Sequence, residues 1–265
     1  MSPQELLAHV DGGRLWDSAP GREPGFDVAA AYQSALAVRQ LRQNRGEVPR
    51  GYKIGFTNRN LWPRYQVFAP IWGTVWNSTL QFCDGQGSVA LSGSCQPRLE
   101  PEAVFGLSTT PPLKASLDQL FACIDWVAPG FEIVQSHLPD WKFSAADTVA
   151  DGGLHARLLV GRKVPVRELA GSAQELERQL CAARVSLCQD GREVEQGQGV
   201  NVLEGPLHAL HHFLQELRQC PGAPDLKPGD VITTGTWTDA WPVGAGQTWT
   251  AQFDAPLSGL TVMFQ

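Results

Sequence analysis

Apolar residues recur along this chain with two different periods, and the change from one to the other organises it. At the start, Ser2, Pro3 and Glu5 predict a helix N-terminus: a hydroxyl cap, a proline in the first turn, and an acid that closes a capping box. A second helix is predicted from near Asp27. Val28, Ala31, Tyr32, Ala35, Val38 and Leu41 recur at spacings of three and four, and this apolar face runs out in the polar RQNRG. After Gly51 the texture changes. GYKIGFT reads as a short strand or extended turn, and residues 60 to 80, rich in Pro, Gly and Trp, read as loop. From about Val89, short β-like runs alternate with turn residues: PRLEPEAVF, GFEIVQ, ARLLVG, RVSLCQ, DVITT, TWTAQF and LTVMFQ. Asp190-Gly191 separates two alternating runs and predicts a hairpin. Two helices interrupt the strands: one from near Ser116 to Trp126, and one after Pro206 with Leu207, Leu210, Leu214 and Leu217 along one face. No internal repeat is visible. The pattern predicts an α+β chain with a helical N-terminal segment, 1–85, and a β-rich part, 86–265.

Length and composition narrow the possibilities. A chain of 265 residues, 43% hydrophobic and 18% charged, can bury a full core. Its 27 glycines and 19 prolines are spread out, which fits many turns and short strands. The net charge is −6 and no cluster of Lys and Arg stands out, so nucleic acid is not an expected partner. The start, MSPQELLAHVDGG, lacks the basic and apolar runs of a secretory signal, and no stretch approaches the roughly 20 apolar residues of a membrane span. Cys83, Cys95, Cys123, Cys181, Cys188 and Cys220 show no CxxC spacing. Free thiols in a cytoplasmic protein are therefore expected.

Candidate chemistry begins with Glu100 and Glu102 in PRLEPEAVF. In a strand, residues i and i+2 share a face, with roughly 7 Å between their Cα atoms. Two such carboxylates repel, and a divalent cation removes that penalty. Hard Mg²⁺ or Mn²⁺ prefers oxygen ligands. Glu132, in the predicted strand GFEIVQ, can supply a third carboxylate. Spacing alone also fits solvated acids on a half-exposed strand. Pro101 between the pair has no N–H to donate and favours a strand edge or bulge. Lys53, between Gly51 and Gly55, can steady negative charge or move a proton near such a site, or be an ordinary exposed lysine. The run GDVITTGTWT ends a strand in a glycine turn, where exposed amides and hydroxyls can bind a carboxylate.

Other features point to structure. His208 and His212 have the i, i+4 spacing of a metal pair, but with no matching acid or third ligand they read, with His211, as a solvated helix face. Trp72, Trp76, Trp126, Trp141, Trp237 and Trp241 can line a pocket, but read mostly as core. No serine has the GxSxG context of a nucleophile elbow, so a serine hydrolase is disfavoured.

Together, GYKIGFT, Pro70 and Gly73, RLEPEAVF, FEIVQS, DWKFSAADTVAD, GQGVNVLEGPLHAL, GDVITTGT and PVGAGQTWTAQF resemble, in order, the 2-keto-4-pentenoate hydratase group of the fumarylacetoacetate hydrolase superfamily. The resemblance runs from roughly residue 50 to 255, and ordered motifs are far more specific than any one of them. It implies a β-rich roll or barrel preceded by a helical segment, assembled as a homo-oligomer. It also implies Mg²⁺ or Mn²⁺ on Glu100, Glu102 and Glu132, with Lys53 as the catalytic lysine. Thr234, Gly235 and Thr236 are implied near the substrate, with Lys142 and Asp151 close by. The activity implied is a hydro-lyase of aromatic catabolism, adding water to a 2-hydroxy-2,4-dienoate or 2-oxo-3-enoate. Decarboxylation of a 2-oxo acid and C–C hydrolysis of an acylpyruvate are the alternatives within the superfamily; a non-catalytic relative is the alternative outside catalysis. Three positions depart from the group: Ile71 where an acid is common, and Gly152 and His155 where the group often reads ADNASS. His155 is expected to offer the substrate a proton donor.

Overall fold

The computed structural model describes residues 1–265, apart from the side chains of residues 61 and 64. Helix α1 (Pro3–Gly12) starts with the capping box read from the sequence: Glu5 N–H donates to Ser2 Oγ, and Ser2 N–H donates to Glu5 Oε2. Helix α2 (Val28–Asn44) is capped by Asp27, which accepts from Ala30 N–H at 2.9 Å. Strand β1 (Pro49–Gly55) follows, then a short α3 (Trp62–Tyr65).

Part of the segment expected to be loop is strand β2 (Ile71–Trp76), antiparallel to β1. Its composition hides it. Ile71, Trp72, Val75 and Trp76 are buried, so the strand has no polar alternation. Gly73 is needed because a Cβ there would meet the Gly152 carbonyl oxygen at 1.9 Å.

Strands β3 (Leu80–Phe82), β4 (Gln86–Val89) and β5 (Arg98–Leu107) come next. Helix α4 (Leu117–Cys123) begins where expected, capped by Ser116, but stops short of Trp126 because Ile124 opens β6 (Ile124–Val134). The rest alternates: α5 (Ala145–Ala150), β7 (His155–Val160), β8 (Val164–Pro165), α6 (Val166–Leu169) and α7 (Ala173–Ala182). The predicted hairpin is β9 (Arg184–Gln189) and β10 (Arg192–Gln198), joined at Asp190-Gly191. Helix α8 (Pro206–Gln219), β11 (Val231–Thr236), β12 (Trp241–Pro242), β13 (Thr248–Phe253) and β14 (Leu260–Phe264) complete the chain.

Two sheets form this mixed α+β fold. The nine-stranded sheet has the order β2-β1-β11-β5-β6-β7-β3, with β12 also on β5 and β8 also on β6. The five-stranded sheet has the order β10-β9-β13-β14-β4. Strands β1 and β2 lie before residue 85, so strand pairing in the larger sheet crosses the division drawn there from the sequence. Central strands β5 and β6 are buried on both faces. Leu99, Val104, Phe105, Val127, Phe131 and Ile133 are each fully covered, contributing about 1.5–3 kcal/mol apiece for the larger side chains. Of the tryptophans expected in the core, Trp72, Trp76 and Trp237 are buried and Trp126, Trp141 and Trp241 are half-buried. All six cysteines are free thiols. Among the described residues no helix is long and apolar enough to cross a membrane.

Candidate metal centre

The period of two along β5 places Arg98, Glu100 and Glu102 on one face. β6 runs antiparallel beside it, and its register sets Glu132 directly opposite Glu100, with Gly130 opposite Glu102. Three carboxylates from two adjacent strands thus converge, one oxygen of each lying within 4.8 Å of the others. Glu102 and Glu132 are fully buried. On the other side of β5, β11 is irregular between Thr233 and Thr236, and this turns the Gly235 amide inward. Gly235 N–H donates to Glu102 Oε2 at 2.7 Å. The residue has φ 100°, and a Cβ there would meet Thr57 Oγ1 at 1.9 Å, so only glycine fits.

Lys53 reaches the cluster from β1, with its ammonium 3.4 Å from Glu132 Oε2 and 4% of the side chain exposed. Burial works against its charge, but Glu132, Glu100 and Glu102 outweigh it and hold the pKa above its ordinary value. Among the acids the balance is reversed. Burial first, relieved by Lys53 and worsened by Glu132, pushes Glu100 up to about 7. Burial, Glu132 and Glu100 push Glu102 well above the usual carboxylate range. Glu102 Oε1 has no hydrogen-bond partner among the described residues, and Glu132 Oε2 has only the Lys53 ammonium. Buried, mutually repelling oxygen donors with unused lone pairs fit a hard divalent cation such as Mg²⁺ or Mn²⁺. No other cluster of potential ligands occurs among the described residues.

The centre opens into a cavity of about 370 Å³. Lys53, Glu100, Gly235 and Thr236 face it, with Phe56, Ile71, Val134 and Leu154 as apolar wall and Arg98, Trp141 and Asp239 also lining it. The Arg98 guanidinium lies 4.4 Å above the Trp141 ring. A smaller cavity of about 60 Å³ beside β2, lined by Arg39, Arg42 and Asp151 among others, contains none of the glutamates.

Four residues expected at the substrate lie elsewhere. Thr234 is buried and donates its hydroxyl to the Ala103 carbonyl; the irregularity of β11 between Thr233 and Thr236 breaks the alternation that would set it on the face of Thr236. Lys142 projects outward, 80% exposed, beside Asp140 at 3.3 Å. Asp151 is buried against His137, accepting from its backbone N–H at 2.9 Å and pairing with Nδ1 at 2.6 Å. His155 lies behind Glu132, 2.9 Å from Oε1, and does not line the cavity. The histidines of α8 are also structural. Glu177 accepts from Leu207 N–H and His208 N–H and pairs with the His208 ring, and His211 contacts the Ala115 carbonyl. Sequence reasoning missed Arg98, although the alternation that pairs Glu100 with Glu102 includes it. Trp141 is among the tryptophans read as able to line a pocket, whereas Phe143, which also lines the cavity, gave no periodic signal.

Fold and site together define the class: a mixed α+β protein with a cluster of carboxylates whose chemistry suits a divalent cation, beneath a cavity with an apolar wall. No protein-family model matches the chain. It is 30% identical over 97% of its length to 92% of a 2-hydroxyhexa-2,4-dienoate hydratase of Comamonas testosteroni. It is 30% identical over 89% of its length to 87% of a 2-keto-4-pentenoate hydratase of Burkholderia vietnamiensis. Its fold matches 4-oxalocrotonate decarboxylase from Pseudomonas putida G7, complexed with magnesium and adipate, at a TM-score of 0.85 and 24% identity, covering 100% of this chain and 99% of that one. The chain belongs to the hydratase and decarboxylase group of the fumarylacetoacetate hydrolase superfamily.

Proposed function

We propose that this protein is a metal-dependent hydratase that converts a 2-hydroxy-2,4-dienoate, by way of its 2-oxo-3-enoate tautomer, into a 4-hydroxy-2-oxo acid. The observation that carries the reading is the buried carboxylate cluster with the Lys53 ammonium inside it, at the base of a cavity with an apolar wall. Glu100, Glu102 and Glu132 would hold the cation, which when bound supplies Lewis-acid polarisation of the substrate's carboxylate and 2-oxygen. Lys53, kept charged by its three acidic neighbours, stabilises negative charge developing at the 2-oxygen. The wall formed by Phe56, Ile71, Val134 and Leu154 receives the hydrocarbon chain and keeps bulk water from it. Ketonisation protonates C5. Addition of one water then places hydroxyl on C4 and a proton on C3, so atoms and charge balance. The two hydratases at 30% identity support the same reaction.

The test is the fall in ultraviolet absorbance of freshly generated 2-hydroxypenta-2,4-dienoate and its hexa-2,4-dienoate homologue, with added Mg²⁺ or Mn²⁺. Turnover that depends on metal and is lost in Glu102→Gln supports hydration. Unchanged dienoate with every metal overturns it.

A second reading, decarboxylation of a 2-oxo-enedioate, is favoured by Arg98. Its guanidinium lines the cavity on the same strand face as Glu100 and has no carboxylate within ion-pair distance among the described residues. That guanidinium suits a second, distal carboxylate. Carbon dioxide release from such a diacid, faster than dienoate loss, would place decarboxylation ahead.

A further inference from the structure

Glu132 has a second set of contacts on the side away from the cavity. His155, the first residue of β7, presents Nδ1 to Glu132 Oε1 at 2.9 Å and Nε2 to Thr79 Oγ1 at 2.8 Å. Its side chain is 2% exposed. Thr79, in the turn before β3, accepts at Oγ1 from Trp76 N–H at 3.0 Å. The Trp76 carbonyl already accepts from the Thr79 backbone N–H at 3.0 Å, and the Thr79 hydroxyl contacts it at a longer 3.2 Å. Glu132 as a carboxylate can only accept, so the ring proton belongs on Nδ1; the neutral ring then accepts at Nε2, and the Thr79 hydroxyl donates to it over the shorter of its two contacts. The result is one directed chain: Trp76 N–H to Thr79, Thr79 O–H to His155, His155 N–H to Glu132.

We propose that His155 is a positioning residue for the metal centre: with Thr79 behind it, it commits one oxygen of Glu132 and leaves Oε2 for Lys53 and a cation. This inference rests on the metal reading above. It differs from a structural role in what it predicts. A carboxylate swings about its own side-chain torsions unless its second oxygen is held, and a ligand that must be ordered on binding binds more weakly. His155 spans the gap between β6 and β7 at the point where their pairing slips a register between Ile133 and Val134. The backbone irregularity therefore brings the imidazole level with the carboxylate, where regular pairing sets Leu158 opposite Glu132.

The test is Mn²⁺ binding to the full chain, followed by calorimetry and by the electron paramagnetic resonance of bound Mn²⁺. His155→Phe keeps the ring volume and removes both hydrogen bonds. It should weaken Mn²⁺ binding by about 10- to 100-fold and alter the resonance line shape. His155→Asn places an amide N–H near the position of Nδ1 and should recover most of that loss. Thr79→Val, which frees the imidazole to turn, should weaken binding by a smaller factor. Glu132→Gln is the control for the metal site. If His155→Phe and Thr79→Val both fold and bind Mn²⁺ within twofold of the wild type while Glu132→Gln is impaired, the positioning role is wrong and the metal reading stands. Should Glu132→Gln also bind normally, both fall. Where His155→Phe does not fold, Thr79→Val and His155→Asn decide: normal affinity in Thr79→Val, or no better than tenfold-weakened affinity in His155→Asn, overturns the role.

Discussion

Replacing Lys53 with Met should separate the stability of the site from its chemistry. The ammonium and Glu132 are both buried and 3.4 Å apart. At an effective dielectric of about 20, one such pair is worth about 5 kcal/mol. Glu100, pushed up to about 7, and Glu102, pushed well above the usual carboxylate range, can take up protons and relieve part of the loss. Removing one member of a buried pair typically costs about 3–5 kcal/mol. At about 2–4 °C per kcal/mol for a chain approaching this size, Lys53→Met should melt about 6–20 °C below the wild type in EDTA. A divalent cation replaces the missing positive charge, so Mn²⁺ should bind the variant more tightly than the wild type. Both proteins gain stability from bound metal, so at saturation the gap narrows by about 1.4 kcal/mol for each tenfold by which the variant binds Mn²⁺ more tightly. Turnover should nonetheless fall by about 10²- to 10⁴-fold with metal saturating. Scanning calorimetry in EDTA and in Mn²⁺, with a parallel Mn²⁺ titration, checks this. Equal melting deficits in both buffers, or weakened Mn²⁺ binding, would refute the argument that Lys53 and the cation neutralise the same carboxylates.

Three further predictions follow from particular contacts. Glu100→Gln, Glu102→Gln and Glu132→Gln should each weaken Mn²⁺ binding by at least about tenfold, since each removes a charged donor; calorimetry showing normal affinity in all of them would dismantle the site. Arg98→Met should raise KM for a 2-oxo-enedioate more than for a dienoate, by about 1.5–3 kcal/mol for a lost charge-assisted bond, and steady-state kinetics with equal effects on both substrates would exclude Arg98 as a carboxylate partner. Glu47 tests the protein away from the site: burial pushes its carboxyl up, but hydrogen bonds from Arg42 and Ser78 and the charge of Arg42 outweigh it and hold the pKa at about 2. A folded pKa below the ordinary 4.5 stabilises the fold above pH 4.5, and that contribution is lost as pH falls toward 2. The melting gap between the wild type and Glu47→Gln should therefore shrink across that range, and a gap independent of pH would contradict it.

What the sequence made legible followed from local rules. The capping box of α1, the starts of α2 and α4, the Asp190-Gly191 hairpin and the leucine face of α8 depend on neighbours a few residues away. The carboxylate pair was legible because alternation along β5 is also local. That Glu132 stands opposite Glu100 depends on strand register, which no single segment contains. β2 was missed because a strand buried on both faces loses its alternation, and its Gly73 answers to a distant carbonyl. Lys142, Asp151 and His155 share a segment near the site, yet sequence proximity does not give side-chain direction. One faces solvent, one faces His137 and one backs Glu132.

The order of strands in the larger sheet also governs when the site can exist during synthesis. β11 lies between β1 and β5, although it leaves the ribosome long after both. Until residues 231–236 arrive, the Lys53 strand and the carboxylate strands are separate pieces, and the Gly235 amide that holds Glu102 has not been made. Between the synthesis of Glu132 and that of residues 231–236, the nascent chain therefore carries two open strand edges and an uncompensated acidic cluster. Such edges invite pairing with other chains, and long-range closure of this kind is slow. A chain that terminates before β11 keeps both edges open and should aggregate, whereas one extended through β11 closes them and brings the lysine to the acids in the same event.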